Sequence, residues 1–533
     1  MKSFLKKYWE IILLTSILLL GSYLRLYKIA DYMTFLGDEG RDVLVVKRML
    51  VDHKFTLLGP TASVGGFFLG PIYYYFMLPF LWLWRLDPSG PAVMVALFGI
   101  ATIYLVYRLG KDLCGSLAGL VAASLYTVSP IVIAYSRSSW NPNLVPFFSA
   151  LLIYLLSKCV SKTQKITSLG IGIALGIGLQ LHYLFLFLLV LTLTWIIWKV
   201  DKSRVLNCLV WVGFGFILGY SPFLVFELRH NFPNTQSILR FMLAGKETGV
   251  ATGFLTSISE IVFRLFGRLV YRLPQQDIWD KISGYQLWLW INGTRLAIIL
   301  SLSAVAVIAL QPVKFVQKRL AKLKVLKFIS SFPVLSAQLL LLWFVVVIGL
   351  FIFYKKGIYD YYLGIIFPLP FLLTGLLWEV LFRQKFLRWL AVGLWLGLLI
   401  LNWQGRPFRY PPNRQLAQAK MIAGEALDKT GGKPFNFALV TDFNSDHAYR
   451  YFFEIWGNPP VTIENFALDP ERRSVTNQLI VICEKSDCRP LGHPLWEIAG
   501  FGQAEIVGSW DVSFVKIYKL VHYQEKASGK LKL

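Results

Sequence analysis

The sequence predicts a mainly α protein: a polytopic membrane helical bundle of about eleven transmembrane helices, juxtamembrane helices in its first outer loop, and a small C-terminal α/β extracytoplasmic domain. Three observations carry that expectation. Of 533 residues, 56% are hydrophobic and only 16% charged, more apolar surface than a soluble fold needs. Apolar runs approaching the roughly 17 to 25 residues that cross about 30 Å of hydrocarbon recur as far as Trp403. Beyond Trp403 the pattern changes to polar helices and short strand-like runs.

The first run is Trp9 to Tyr27; no small-residue cleavage site follows it, so it reads as a retained span and not as a signal peptide. Then come Pro91 to Leu109, Cys114 to Tyr135, Leu144 to Leu156, Ser168 to Leu181, Leu184 to Trp198 and Val205 to Phe226. A second group comprises Leu287 to Leu310, Ala337 to Tyr354, Tyr361 to Phe382 and Phe386 to Trp403.

One further stretch, Leu69 to Trp84, decides the topology, because short loops rich in Lys and Arg stay in the cytoplasm. If it does not cross, the cytoplasmic set is Lys2, Lys6, Lys7, Arg108, Lys111, Lys158, Lys162, Lys165, Lys199, Lys202, Arg204, Lys314, Lys318, Arg319, Lys322, Lys324, Lys327, Arg383, Lys385 and Arg388. The short outer loops keep only Arg137, Lys355 and Lys356. If it crossed, every later loop would break the rule. Leu69 to Trp84 is therefore read as a juxtamembrane or re-entrant helix, with the N-terminus cytoplasmic and the C-terminal domain outside the cytoplasmic membrane.

The net charge of +24 is then largely a topology signal and does not call for a nucleic-acid partner. Cys114, Cys159 and Cys208 fall at inner ends of spans. Cys483 and Cys488 lie in the outer tail, either as a short-loop disulfide or as two free thiols.

The expected division is a transmembrane module over residues 1–403, with outer loops 28–90 and 227–286, and an α/β domain over 404–533. In the first loop Val43, Leu44, Val46, Leu50 and Val51, set against Arg41, Lys47 and Arg48, fit a short helix lying flat on the bilayer. The second loop holds a longer helix, Phe254 to Leu273, with Arg264, Arg268 and Arg272 recurring every four residues. That column either holds a lipid phosphate through forked hydrogen bonds or snorkels to headgroups. In the tail, Asn413 to Lys429 and Ser445 to Trp456 read as helices; Phe435 to Thr441, Gln478 to Cys483, Ala504 to Gly508 and Val512 to Leu520 read as strands. The tail carries no zinc spacing, phosphate loop or nucleophile elbow, and its sequence does not reveal its job. Asn292-Gly293-Thr294 matches a glycosylation acceptor in pattern only, at or inside a span.

The chemistry-bearing feature is Gly37-Asp38-Glu39-Gly40-Arg41, directly after the first span. Transfer of a group from a lipid phosphate to a hydroxyl needs a base for the acceptor proton, and cations where charge builds on the leaving phosphate. Asp38 is the candidate base, and Glu39 is its neighbour to hold the acceptor or repel its charge. The alternative is that Asp38 caps the helix that follows. Other groups gather at outer span ends: Arg137 and Asn141; His182 and Tyr183 in a very short turn; Glu227, Arg229 and His230; and Asp360, Tyr361 and Tyr362. Each alone also reads as an interfacial anchor, a local ion pair or, for His182, a hydrogen-bonded spacer.

In the order of these features the chain resembles the C-type glycosyltransferases, in particular the branch of protein O-mannosyltransferases and lipid A aminoarabinose transferases. The matching residues are Asp38-Glu39, the juxtamembrane Gly70-Pro71-Ile72-Tyr73-Tyr74-Tyr75, Ser136-Arg137 with Asn141-Pro142-Asn143, and Glu227-Leu228-Arg229-His230, over about the first 400 residues. The resemblance implies a polyprenyl-phosphate sugar donor, inversion at the anomeric carbon, Asp38 as catalytic base and no obligate cofactor; Asp360 leaves a divalent metal open. The aminoarabinose transferases carry a donor-phosphate Lys where this chain has Gly70, which shifts that task to Arg137, Arg229 or the Arg264 column. Tyr74 joins the substrate-binding candidates.

The expected function is transfer of a sugar from that donor to an acceptor hydroxyl on a lipid, glycan or protein, at the outer face of the cytoplasmic membrane. A transporter or flippase of lipid-linked sugars is the rival; such proteins show internal repeats and ionisable residues at mid-membrane, and this sequence shows no repeat and few mid-span charges. A receptor or scaffold would not require the long first loop.

Overall fold

The chain is described by a computed structural model over residues 2–62, 65–160, 165–243, 254–274, 276–313, 332–354, 357–442, 444–485 and 487–524. Lys162, Lys314, Lys318, Arg319, Lys322, Lys324, Lys327, Lys355 and Lys356, which enter the charge asymmetry, lie outside the described residues, as does part of the second outer loop.

All eleven apolar runs are helical. Among the described residues six helices are long and apolar enough to cross a membrane: Tyr8–Leu26, Ser89–Cys114, Asn141–Cys159, Lys202–Arg229, Gly284–Ala309 and Val334–Phe351. The shorter apolar helices include Ser116–Val128, Lys165–Leu181, Tyr183–Lys199 and Arg388–Trp403. The Tyr361 to Phe382 run begins as a 3₁₀ turn, Asp360–Ile365, and continues as the helix Pro368–Arg383. The disputed stretch forms the helix Ile72–Leu83, whose 12 residues rise only about 18 Å, too short to cross about 30 Å of hydrocarbon. Asn292 lies inside the Gly284–Ala309 helix and donates to Trp288 O.

The chain divides into two compact units. The first is Met1–Ile29, Phe55–Phe76 and Pro91–Pro412. Its helices pack through small residues, as apolar solvent demands, since lipid supplies no hydrophobic drive between helices. Gly172 and Gly176 of Lys165–Leu181 face Gly215 and Gly219 of Lys202–Arg229. A Cβ at any of the four would run into the other helix's backbone, at Val212 O, Phe216 O, Leu169 O and Ile173 O respectively. The same close approach sets Gly375 of Pro368–Arg383 against Ala118 O of Ser116–Val128.

The second unit is Ala30–Lys54, Met77–Gly90 and Asn413–Leu533. It holds a four-stranded sheet in the order β1-β2-β4-β3, with β1 Asn436–Val440, β2 Gln478–Cys483, β3 Ala504–Val512 and β4 Val515–His522. β1 and β2 run parallel and the other neighbours antiparallel. The fully buried β1 and β2 form the middle of the core, as continuous apolar runs should. On one face Ala438, Val440, Leu479, Val481 and Leu520 pack with Ile463, Ile498 and Phe501. On the other, Phe437 meets Phe453 of the helix His447–Ile455 edge to face, ring centres 5.1 Å apart. Cys483 and Cys488 form a disulfide, which settles the alternative left open by spacing; Cys114, Cys159 and Cys208 are buried free thiols.

The structure corrects one expectation. The amphipathic helix after the first span, Gly37–Val51, does not present its apolar face to a bilayer. Val43, Leu44, Val46 and Met49 are buried within the second unit, where this helix packs on His447–Ile455, and Phe35 just before it meets Tyr451 and Phe452. A protein face satisfies an apolar stripe as well as lipid does, so periodicity alone could not separate the two.

Candidate active site

In the second unit, the helix bearing the acidic pair starts at a residue that has no side-chain cap to offer. Leu36 occupies the N-cap position and has no side-chain acceptor. Asp38 is thus the second helical residue and not the cap, which removes the alternative reading of its carboxylate. Its side chain is 55% exposed and accepts from Arg41 Nη1 at 2.8 Å. Arg41 turns its Nε and Nη2 onto Asp42 Oδ1, at 3.0 and 2.8 Å, and Asp42 is wholly buried. The guanidinium therefore bridges an exposed carboxylate and a buried one. Glu39 points the other way: 7% exposed, it accepts the Leu36 N–H at 3.1 Å. Burial pushes its carboxyl up to about 7, with the charges of Asp38 and Asp42 adding to the rise.

The missing helix cap comes from far along the chain. Asn444 Oδ1 accepts the Gly37 N–H at 2.8 Å and the Ser445 N–H at 2.9 Å, while its Nδ2 donates to the carboxylate of Glu484. A side chain at Gly37 would run into Ser445, and one at Gly40 into the backbone of Ala448. Sequence reading passed over Arg41 as a partner of the acidic pair, and over Asn444 and Glu484 altogether. The two glycines, three apart on one helix face beside Asp38, were the available signal for a close partner.

In the first unit, residues from four segments converge. His182 stacks on Tyr183 with ring centres 4.8 Å apart and lies 5.9 and 5.4 Å from the rings of Tyr361 and Tyr362. Trp140 meets Tyr361 at 4.6 Å, and Asn141 Nδ2 donates to Leu181 O at 2.8 Å. His182 Nδ1 accepts the Leu184 N–H at 3.2 Å, so the imidazole closes its own short turn, as the spacer alternative held. Burial pushes it down to about 3, leaving it neutral. Next to this aromatic cluster in sequence, Asp360 takes Arg264 Nη1 at 2.7 Å and Arg268 Nη1 at 2.7 and 2.9 Å. Arg264 also binds Glu260 at 2.7 Å. These arginines face protein carboxylates and do not snorkel. The turn that carries both, Phe263–Arg268, is a π-helix, a form frequent at functional sites. Arg272 donates to Leu401 O at 2.6 Å; it and Arg268 edge a cavity of about 400 Å³ walled by Ile278, Ile282 and Trp290.

The other candidates stand apart from this cluster in their contacts. Arg137, 2% exposed, donates to the carbonyls of Leu24, Arg25, Tyr27 and Lys28, tying off the end of the first helix. Glu227 accepts from the backbone and side chains of both Asn234 and Thr235, capping the helix Pro233–Leu243. Arg229 and His230 are exposed at the end of Lys202–Arg229, and His230 stacks on Phe226. Tyr74 is buried. At Gly70 a side chain would run into Gln180, whose Oε1 accepts the Ile72 N–H and whose Nε2 donates to Gly219 O. A lysine has no room there while Gln180 holds this place.

Residues 70–226 match the family model of dolichyl-phosphate-mannose-protein mannosyltransferases. The fold is similar to that of ArnT from Cupriavidus metallidurans, solved bound to undecaprenyl phosphate: 11% identity over 96% of this chain and 98% of that one, TM-score 0.58. It is also similar to the apo oligosaccharyltransferase of Archaeoglobus fulgidus: 12% identity over 90% of this chain and 70% of that one, TM-score 0.51. No curated protein matches the chain. The chain is thus a multi-pass membrane protein with the fold of these polytopic transferases, and the family match is confined to residues 70–226.

Proposed function

We propose that the chain transfers a sugar from a polyprenyl-phosphate carrier to an acceptor hydroxyl, on the outer side of the cytoplasmic membrane and with inversion. The acceptor oxygen attacks the anomeric carbon as its proton passes to Asp38. The bond from that carbon to the phosphate oxygen breaks, and the electron pair leaves with the polyprenyl phosphate. Arg264 and Arg268 are the cations for the leaving phosphate, since forked guanidinium donors suit it. Asp360 holds the pair, and Tyr361, Tyr362, Tyr183 and Asn141, in the same unit as the arginines, are the residues for the sugar. Arg137, Glu227 and His182 serve as scaffolding in this reading, because their polar atoms already serve backbone partners.

The observation that carries the proposal is the exposed Asp38 carboxylate, oriented by Arg41 on a helix whose start is held by protein. Support for the carrier comes from the undecaprenyl phosphate in the ArnT structure of similar fold. The test is consumption of radiolabelled undecaprenyl-phosphate sugars by the purified chain in lipid. The wild type consumes at least one, and Asp38→Asn lowers turnover by about 10²- to 10⁴-fold with the protein still inserted and folded. An Asp38→Asn protein as active as the wild type overturns the assignment.

A further inference from the structure

We infer that the C-terminal α/β domain is part of the catalytic apparatus, and that Asn444 is a positioning residue for Asp38. The inference deepens the proposal above and rests on Asp38 being the base.

The first turn of an α-helix leaves N–H groups with no partner inside the helix, and a hydrophobic N-cap cannot supply one. Leu36 is such an N-cap, and Asn444 makes up the loss at Gly37, one residue before Asp38. Its orientation is fixed from both ends. Oδ1 faces two N–H donors, Gly37 and Ser445, and Nδ2 faces the Glu484 carboxylate at 3.0 and 3.3 Å, so a flipped amide would set donor against donor and acceptor against acceptor. Glu484 is itself held, accepting the Thr441 and Tyr449 hydroxyls at 2.8 Å each. The Cys483–Cys488 disulfide ties the segment that carries it.

Steric contact removes the remaining freedom. Gly37 and Gly40 bracket Asp38 in sequence and lie against Ser445 and Ala448 with no space for a methyl group. The turn is pinned at its backbone on one side, while the Asp38 carboxylate stands exposed. A base must meet its proton within a narrow distance, and misplacement by about 1 Å costs on the order of 10²-fold in rate. No other part of the proposed reaction uses the tail, so holding this turn gives the domain a task that its sequence does not announce.

The test measures turnover of the full chain in lipid, with the radiolabelled undecaprenyl-phosphate sugar that the wild type consumes. Asn444→Asp keeps both accepted N–H bonds but sets a carboxylate against Glu484. It should lower kcat by about 10- to 100-fold with the KM for donor within about twofold. Adding Glu484→Gln restores a donor opposite the introduced carboxylate and should recover most of kcat, a rescue that simple loss of a stabilising contact would not show. Asn444→Ser, which adds no charge, is measured beside them in case the charged variant does not fold, and should lose kcat alike. Wild-type kcat in Asn444→Ser, or no recovery in a folded double variant, overturns the inference. If the wild type consumes no donor, or Asp38→Asn stays active, the reading of the base fails and the inference with it.

Discussion

Arg268 holds Asp360 through both carboxylate oxygens, and Arg264 joins on one of them, so a single acid carries two guanidinium groups beside an aromatic cluster. Glu260 adds a second carboxylate on Arg264, so two cations face two acids and the guanidinium groups are held in place.

Replacing Arg268 by Ala should raise the KM for an undecaprenyl-phosphate donor by about 10- to 100-fold, the loss of one charge-assisted hydrogen bond. Asp360→Asn should change donor KM less, since it removes the counter-ion and not the cation. Steady-state kinetics on both variants checks the order; equal and small effects would remove the pair from the donor site.

Glu39 links stability to pH. Its folded-state pKa of about 7 stands above the usual 4.5, so between those values the folded chain binds more protons than the unfolded one, and its contribution to stability falls as pH rises through that window. Glu39→Gln keeps an acceptor for Leu36 N–H and cannot ionise. Its melting temperature in detergent should exceed the wild type's at pH 8.5, by an amount corresponding to about 3 kcal/mol, and equal it near pH 4. A constant difference across pH would show that burial of this carboxyl is not the cause.

Gly40→Ala places a methyl group against the backbone of Ala448. Overpacking of this kind costs about 1–3 kcal/mol, and the two backbones are both parts of regular elements that cannot easily give way. Thermal unfolding should register that loss. The same change at Gly213, where the space is open, should not.

The membrane helices were legible because crossing hydrocarbon requires length and apolarity, which any reading of Val205 to Phe226 or Ala337 to Tyr354 displays. β2 was legible to the residue, since Gln478–Cys483 is a buried apolar run between breakers. Unit membership was not legible. Ala30–Lys54 packs with a tail that begins at Asn413, and that pairing is a tertiary fact with no local pattern. Single polar residues were the least readable: Arg137, Glu227 and His182 look like substrate-binding groups at span ends, yet each also satisfies backbone groups that only the folded chain reveals. Asp38 was singled out from its place after the first span, while its ion pair with Arg41 and the bond from the neighbouring Gly37 N–H to Asn444 appear only in the folded structure.

The second unit is assembled from chain pieces made at opposite ends of synthesis. A ribosome delivers the Gly37–Val51 helix early, and its covering helix His447–Ile455 only after every membrane segment has emerged. Until then Val43, Val46 and Met49 have no protein to lie against, and the greasy stripe must shelter in lipid or in a chaperone. Translation order thus leaves this unit incomplete until the last membrane segment has been made.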